Sequence, residues 1–392
     1  MASREAREQV IHHIKRERAR GCAIVVVVSA MGRKGDSYAT DTLLEFVQNN
    51  GGSLPAREQD MLLSCGEIIS AAVMCSLLCA EGIPAVALSG GEAGIITDEQ
   101  FGQARIKHIG TDSLLTHLKA GTVAVVAGFQ GKTAKGDVTT LGRGGSDTTA
   151  TALGAALNAE FIDIYTDVNG ILTADPRFVA DAKPLSVVSY AEICNMARQG
   201  AKVIHPRAVE IAQQARIPIR VRSTFSDETG TLVTEPAAPD QEWCGKDRHV
   251  TGIAHSAGVT QITVTALKDR SDMQLQVFQA MARNHISVDF ITIMPSGAVY
   301  TVYDKDASNA IEVLRKLGYC PAAVRGCARV SAIGGGMNGE PGVMARIVEA
   351  LTEEGISIMQ SADSNTTIWV LIKEEDMAAA LRALHAKFEL HI

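Results

Sequence analysis

Aromatic side chains are scarce. Phe, Tyr and Trp make up 4% of the 392 residues, so small aliphatic side chains have to fill the core. A basic excess is missing too: 37 Lys and Arg face 44 Asp and Glu, for a net charge of −7 with His neutral. Nucleic-acid binding wants a basic domain or stripe, so no nucleic-acid partner is expected. An anionic ligand would need local positive charge instead. Long hydrophobic runs are absent; the longest, Cys22 to Val28, is far too short to cross a bilayer, and no membrane partner is expected. The eight cysteines form no C-x-x-C and no Cys/His cluster at zinc spacing, so no metal site is expected. Cys75 and Cys79, one helical turn apart, read as buried free thiols. The opening MASREAREQVIHHIKRERARG lacks the apolar centre of a secretory signal. A reduced cytoplasm is the expected compartment.

What is present is an alternation. Residues 3–20 carry a narrow apolar stripe of Val10, Ile11 and Ile14, capped by Ser3 and stopped by Gly21, which predicts an amphipathic helix. AIVVVV comes next, a β-branched run of the kind found in parallel strands buried on both faces. Helices are expected over 59–80, 113–120, 147–157 and 190–199. Strands are expected at PAVALSG, TVAVVAGF, FIDIYTDV and IPIRVRS. This order predicts an α/β domain with a doubly wound, mainly parallel sheet. Ligands of such sheets sit beyond the carboxyl ends of the strands, where SAMG, SGG, GFQG and TDVNG fall.

Residues 236–250 have no periodicity and read as a linker between this domain, 1–235, and the C-terminal part of the chain. Beyond the linker, Val277, Met281, Ile286 and Val288 recur 70 residues later as Ile347, Leu351, Ile356 and Ile358. Each half reads β-α-β-β-α-β, the ferredoxin-like order, over 251–325 and 326–392.

Several stretches carry candidate chemistry. LGRGGSDTTATA reads either as a helix start capped by Ser146 and Asp147 with glycines for a tight turn, or as an anion cradle. In the second reading, Gly144 and Gly145 admit a ligand, Arg143 forks onto a carboxylate and Asp147 faces an ammonium, which suits a zwitterionic amino acid. SAMGRKGD is either a polar βα turn or a phosphate-contacting loop using Ser29, Gly32, Arg33 and Lys34. No G-x-x-x-x-G-K-[ST] occurs, so it is not a P-loop. Glu67 in SCGE is a carboxylate among apolar helical neighbours and needs a partner, structural or substrate. Turn chemistry alone could account for TDVNGILTADPR, with Asp167, Asp175 and Arg177. His205 in GAKVIHPRA reads as a helix-end residue beside Lys202.

Together SCGE, GRGGSD, YTDVNGILTADPR and GAKVIHPR, in this order along the chain, resemble the aspartokinases of the amino acid kinase superfamily. The two C-terminal repeats resemble that family's paired ACT domains. SAMGRKGDSYATD is similar to a Gram-positive, Bacillus-like subgroup. The resemblance implies phosphorylation of L-aspartate by ATP with Mg²⁺, feedback by an end-product amino acid at the ACT domains, and a homo-oligomer paired through them. It gives catalytic roles to Ser29, Asp147 and Lys202. It assigns aspartate to Glu67, Arg143, Gly144, Gly145, Ser146 and Asp147. It assigns ATP to Ser29, Gly32, Thr166, Asp167, Asp175, Arg177, Lys202 and Val203.

Three departures stand out. The family's opening strand with K-[FY]-G-G-[ST], whose lysine bridges the transferred phosphate, has no counterpart in the sequence. The expectation is that the natural reading frame starts further upstream, and that without that strand a gap lies beside AIVVVV. Gly35 stands where some relatives bind substrate with a Thr, leaving Thr40 or Thr42 as replacements. KDRSDM replaces the DKPG of many first ACT repeats, so the effector stays open among diaminopimelate, lysine and threonine. The alternatives are an amino-acid-binding regulatory subunit with impaired catalysis, and another amino acid kinase, which the paired repeats and SCGE disfavour.

Overall fold

The computed structural model describes residues 3–52, 54–201, 203–235, 249–265, 272–337 and 339–392. The chain forms two compact units. The first takes in Met1–Ile171, Pro184–Cys194 and Lys202–Ala238; the second takes in Leu172–Lys183, Asn195–Ala201 and Pro239–Ile392. Residues 236–248 of the expected linker lie outside the described residues.

The first unit begins with α1 (Arg4–Ala19), where the Ser3 hydroxyl accepts from the Ala6 N–H at 3.1 Å, the expected cap. Then come β1 (Val25–Val28), α2 (Thr40–Gly51), α3 (Ala56–Ala80), β2 (Ala85–Leu88), β3 (Ile95–Thr97), β4 (Ile106–Ile109), α4 (Asp112–Lys119) and β5 (Val123–Ala127). They are followed by β6 (Gln130–Lys132), β7 (Val138–Thr140), α5 (Gly145–Ala156), β8 (Ile162–Thr166), β9 (Val187–Ser189), α6 (Tyr190–Arg198), α7 (Pro206–Ala215), β10 (Ile219–Ser223) and β11 (Thr231–Thr234).

β5 lies between β1 and β2, all parallel, and every residue of β5 is buried. β1, expected as a strand buried on both faces, is instead an edge strand among the described residues, and its Val25, Val26 and Val27 are only half-buried. A second sheet runs β8-β10-β11-β9. A third, β4-β3-β6-β7, is made of short strands that the helix–strand alternation does not reveal, and α2 is a further addition to it. Among the described residues β1 has no strand on its edge opposite β5, and β8 none opposite β10. Helix α1 touches both sheets. Ile11 and Ile14 pack with Val28 and Met74, while His13 stacks on Tyr165 at 4.7 Å and donates from Nε2 to the Thr224 carbonyl at 2.9 Å.

Helix α3 is long and apolar enough to cross a membrane by length and composition alone. Its Met74 and Leu78 are fully buried in the core with β1 and β5, and its Asp60 and Glu67 are buried carboxylates. It is a core helix, in keeping with the short apolar runs of the sequence.

In the second unit, β12 (Gly252–Thr265), α8 (Met273–Arg283), β13 (Asp289–Met294), β14 (Gly297–Tyr303), α9 (Asp304–Lys316) and β15 (Ala322–Ile333) form the first repeat. The second uses α10 (Val343–Glu353), β16 (Gln360–Ser364), β17 (Thr367–Lys373) and α11 (Met377–Lys387). The 70-residue offset is structural. Val277, Met281 and Ile286 are buried in one core, and Ile347, Leu351 and Ile356 in the other.

All six strands form one antiparallel sheet, β13-β14-β12-β15-β17-β16. Among the described residues the second repeat has no sixth strand of its own after α11. The first half of β12 serves instead, pairing Gly252–Ser256 with Arg329–Ile333, while its second half pairs with β14. Irregularities between Ser256 and Gln261 divide the halves. The expected boundary at 325/326 therefore falls inside β15, a strand that both repeats share. Segment pattern alone does not reveal this, because the pairing is long-range.

Met74 is fully buried between α3 and the β1–β5 pair. Met74→Ala is expected to cost about 2–5 kcal/mol through lost burial and a residual cavity, read as a lower urea midpoint.

Candidate active site

A cavity of about 1330 Å³ opens in the first unit beyond the carboxyl ends of β1 and β5. Ser29, Gly32, Arg33 and Lys34 line it from the loop after β1, Glu67 from α3, Phe129 from the turn after β5, and Arg143 to Asp147 from the start of α5. His205 and Arg207 line it from the start of α7.

The glycines of LGRGGSD are required by contact. Gly144 has φ +66°, and a Cβ there would lie 2.2 Å from His205 Cγ. A Cβ on Gly145 would lie 2.6 Å from Phe129 Cδ2. The loop between β7 and α5 is thus seated between α7 and the Phe129 ring. The cap differs from the sequence expectation. Gly144 is the residue before the helix, in the left-handed conformation, and Ser146 and Asp147 stand inside the first turn with no side-chain cap bond. A left-handed approach to the helix needs glycine, which displaces the usual Ser or Asp cap. Asp147 is released for another use: its Oδ2 accepts from the His205 N–H at 3.3 Å, and burial raises its carboxyl above the ordinary value.

Glu67 is 3% exposed. Its Oε1 accepts from the Ala30 N–H at 3.1 Å, and its Oε2 is buried without a protein partner among the described residues. Burial outweighs the backbone hydrogen bonds and raises its carboxyl to about 7. No structural ion pair among the described residues satisfies it. Two carboxylates reluctant to ionise therefore share the cavity with Arg143, an exposed guanidinium.

The loop after β1 is held by its own side chains. Asp36 Oδ2 accepts from the Arg33 N–H at 2.7 Å, and Thr42 Oγ1 accepts from the Gly35 N–H at 3.0 Å. Thr42 thus holds the loop, whereas Thr40 lines the cavity. Arg33 also reaches Asp167 Oδ2 at 3.3 Å, which ties the cavity to the end of β8. There Thr166 Oγ1 accepts from the Val168 N–H at 3.2 Å.

Thr166, Asp167 and Val203 are not among the residues lining the cavity, although they belong to the same unit. Asp175 and Arg177 belong to the second unit and pair with each other; Arg177 holds Asp175 from Nε at 3.0 Å and Nη2 at 2.6 Å, which lowers the Asp175 carboxyl. Lys202 lies outside the described residues. Sequence pattern does not single out Phe129, which takes φ +68° although it is not glycine, and donates its N–H to Thr149 Oγ1 at 3.1 Å. A bulky non-glycine residue there is strained and persists only because its surroundings hold it. Its only signal is the position of GFQG at a strand end. His205 is a cavity residue as well as a helix-end one. Its backbone N–H and its ring serve the α5 start, and no side-chain motif advertises either.

Residues 1–223 match the Amino acid kinase family model, and residues 322–386 match the ACT domain model. Aspartokinase 1 of Bacillus subtilis is 53% identical over 386 residues, covering 98% of this chain and 96% of that protein. The aspartokinase of Geobacillus stearothermophilus is 40% identical, covering 100% of this chain and 95% of its own. Among solved structures, Escherichia coli aspartokinase III in complex with aspartate and ADP superposes with a TM-score of 0.77 at 25% identity, covering 98% of this chain and 97% of that one. With its glycine-started α5, its cavity beyond β1 and β5, and its shared ferredoxin-like sheet, the chain belongs to the aspartokinase family, an amino acid kinase domain followed by ACT domains.

Proposed function

We propose that this chain transfers the γ-phosphoryl group of ATP to the β-carboxylate of L-aspartate, giving 4-phospho-L-aspartate and ADP. The observation that carries this reading is the charge pattern of one cavity: Arg143 with two carboxylates, the buried Glu67 and the half-buried Asp147, whose carboxyls burial raises. A zwitterion satisfies all three. Arg143 takes the α-carboxylate as a fork, and Glu67 Oε2 and Asp147 take the α-ammonium. Gly144, Gly145 and Ser146 bring the backbone N–H groups at the mouth of α5 close to the same ligand.

A β-carboxylate oxygen forms the new bond to phosphorus, the bond to the ADP oxygen breaks, and ADP leaves with the electron pair. No protein nucleophile takes part, so the chain positions the groups and neutralises charge. Ser29 and Gly32, with Arg33 and Lys34 beside them, line the cavity where phosphate charge develops. Lys202 is proposed as a further phosphate cation, with Val203 beside it. Thr166 and Asp167, at the end of β8, are proposed for the nucleotide. Mg²⁺ is proposed as the accompanying cation, which would come with the phosphate oxygens of ATP. When bound, Mg²⁺ supplies charge neutralisation of those oxygens.

The product opens lysine, threonine, methionine and diaminopimelate synthesis. Aspartokinase III of Escherichia coli has been solved with lysine and aspartate in a T-state. An end-product amino acid is accordingly proposed as effector of the second unit, in a dimer paired through its ACT domains, working in the reducing cytoplasm. A second reading is an amino-acid-binding partner subunit with impaired catalysis.

Three measurements test these readings. Arg143→Ala is expected to weaken L-aspartate binding by about 10- to 100-fold, as for loss of a charged hydrogen bond, with ADP binding nearly unchanged; equal loss of both would refute the assignment. ATP-dependent aspartyl-hydroxamate formation is expected to rise by about 10²–10³ when a K-F-G-G strand is joined to the N-terminus, the value of one well-placed charge-stabilising group. Silence in both forms, with aspartate still bound, would favour the partner-subunit reading.

The third concerns Glu67. Its folded carboxyl at about 7 lies above its ordinary 4.5, so the stability it contributes is complete below pH 4.5 and lost as pH rises through 7. Above that pH the ionised group costs on the order of 3 kcal/mol. Glu67→Gln is therefore expected to raise the Tm at pH 8 and leave it nearly unchanged near pH 5, while removing the gain in aspartate affinity between about pH 6 and 8.

A further inference from the structure

Two charged residues that no aspartate or nucleotide assignment includes grip the loop carrying Arg143 from opposite sides. Asp60, near the start of α3, is 1% exposed. Its Oδ2 accepts from the Gly102 N–H at 2.9 Å and the Thr140 N–H at 2.8 Å, and its Oδ1 accepts from Thr140 Oγ1 at 2.8 Å. Arg207, in the first turn of α7, donates from Nη1 to the Leu141 carbonyl at 3.2 Å and from Nη2 to the Ala104 carbonyl at 3.3 Å. Between them the Ala104 N–H donates to the Thr140 carbonyl at 2.9 Å. Segments 102–104 and 140–141 are thus bonded to each other and clamped at both ends. A carboxylate takes their N–H groups and a guanidinium takes their carbonyls. Arg143 stands two residues beyond the clamp.

We propose that Asp60 and Arg207 are positioning residues for aspartate recognition: they fix the end of β7 so that Arg143 meets the substrate α-carboxylate. The inference rests on the reading of Arg143 given above. Its basis is the chemistry of the two groups. Charge-assisted hydrogen bonds are the strong ones, and a fork geometry fixes orientation as well as distance. A cation exposed on a loop is useful only if the loop is held, because a displacement of about 1 Å in a positioning element costs on the order of 10²-fold. The Asp60 carboxylate is spent on Gly102 and Thr140, and Asp60 does not line the cavity, so it is no ligand group. Arg207 faces the cavity with its side chain half-buried, yet its guanidinium is committed to two carbonyls.

The test measures calorimetric binding of L-aspartate and of ADP to the full chain, for Thr140→Val, Asp60→Asn, Arg207→Ala and Arg207→Lys, alone and combined with Arg143→Ala. Thr140→Val and Asp60→Asn loosen the clamp while nearly keeping its volume, so a failure of Asp60→Ala to fold would not remove the test. Arg207→Ala is expected to weaken aspartate binding about 10-fold and leave ADP binding within about 2-fold, with partial recovery in Arg207→Lys. Thr140→Val and Asp60→Asn are expected to shift aspartate binding in the same direction. In the Arg143→Ala background none of these variants is expected to weaken aspartate binding further. If Arg207→Ala still weakens it there, Arg207 touches the substrate directly and the positioning role is overturned. If aspartate and ADP binding fall together, the two residues serve folding only, and the proposal is overturned. If Arg143→Ala alone leaves aspartate binding intact, the reading of Arg143 fails, and the clamp proposal fails with it. A full effect of Arg143→Ala with no effect of the clamp variants overturns the clamp alone.

Discussion

A carboxylate deep in an apolar helix, with one oxygen left without a protein partner, is the constraint around which the first unit is organised. Glu67 sits 3% exposed on α3 with Oε2 unsatisfied. Such an arrangement is costly in a protein that has no ligand to meet it. It is tolerated because α3 is otherwise anchored by fully buried Met74 and Leu78 against β1 and β5. The apolar strands, whose role looks purely structural, are what allow a destabilising group to be held in place. Ala30, just after β1, gives Glu67 its hydrogen bond from another element, so the strand that packs the helix also aims its carboxylate.

The second constraint is close approach. Two positions at the start of α5 have room for no side chain, because His205 and Phe129 occupy the space a Cβ would need. The consequence runs through α7 as well. The residue that excludes a side chain at Gly144 also gives its backbone N–H to Asp147. One residue therefore fixes the shape of the helix mouth and the orientation of its acid. In the second unit the corresponding constraint is strand economy. β12 and β15 are each long enough to serve both repeats, so neither repeat completes its sheet without the other. Breaking one should loosen both, which suits a unit that must respond as a whole.

Local patterns carry much of this in the sequence. The all-apolar AIVVVV and TVAVVAGF and the Ser3 cap depend on neighbours a few residues apart, and the 70-residue offset repeats a local apolar spacing; all are legible there. The short strands β3, β4, β6 and β7 are not, because three- and four-residue segments have no measurable period and are defined by distant pairing. The glycine cap of α5 is hidden for a similar reason: Ser and Asp are the usual caps, and only the positions of His205 and Phe129 reveal why glycine is needed. In the site, Arg143, Glu67 and Asp147 are recognisable as charges in unusual settings. Phe129, Asp60 and Arg207 are not, since a strained backbone angle and hydrogen bonds to main-chain groups leave no side-chain signature.

The charge pattern also bears on selectivity. The free cavity has a cation at the mouth of α5 and two carboxylates that burial makes reluctant to ionise. In the proposed assignment, a ligand with an α-carboxylate but no ammonium would satisfy Arg143 and leave the buried Glu67 and half-buried Asp147 without a cation. A ligand with only an amine would do the reverse. Discrimination by buried groups left unpaired is far stronger than discrimination by apolar fit, because the penalty is the desolvation of a polar group and not the loss of a methylene. In the proposed assignment the same groups would make the site selective for an amino acid over either half of one. In that assignment no further contact to the substrate backbone is needed, and Ser29 with the loop after β1 is proposed for the phosphate.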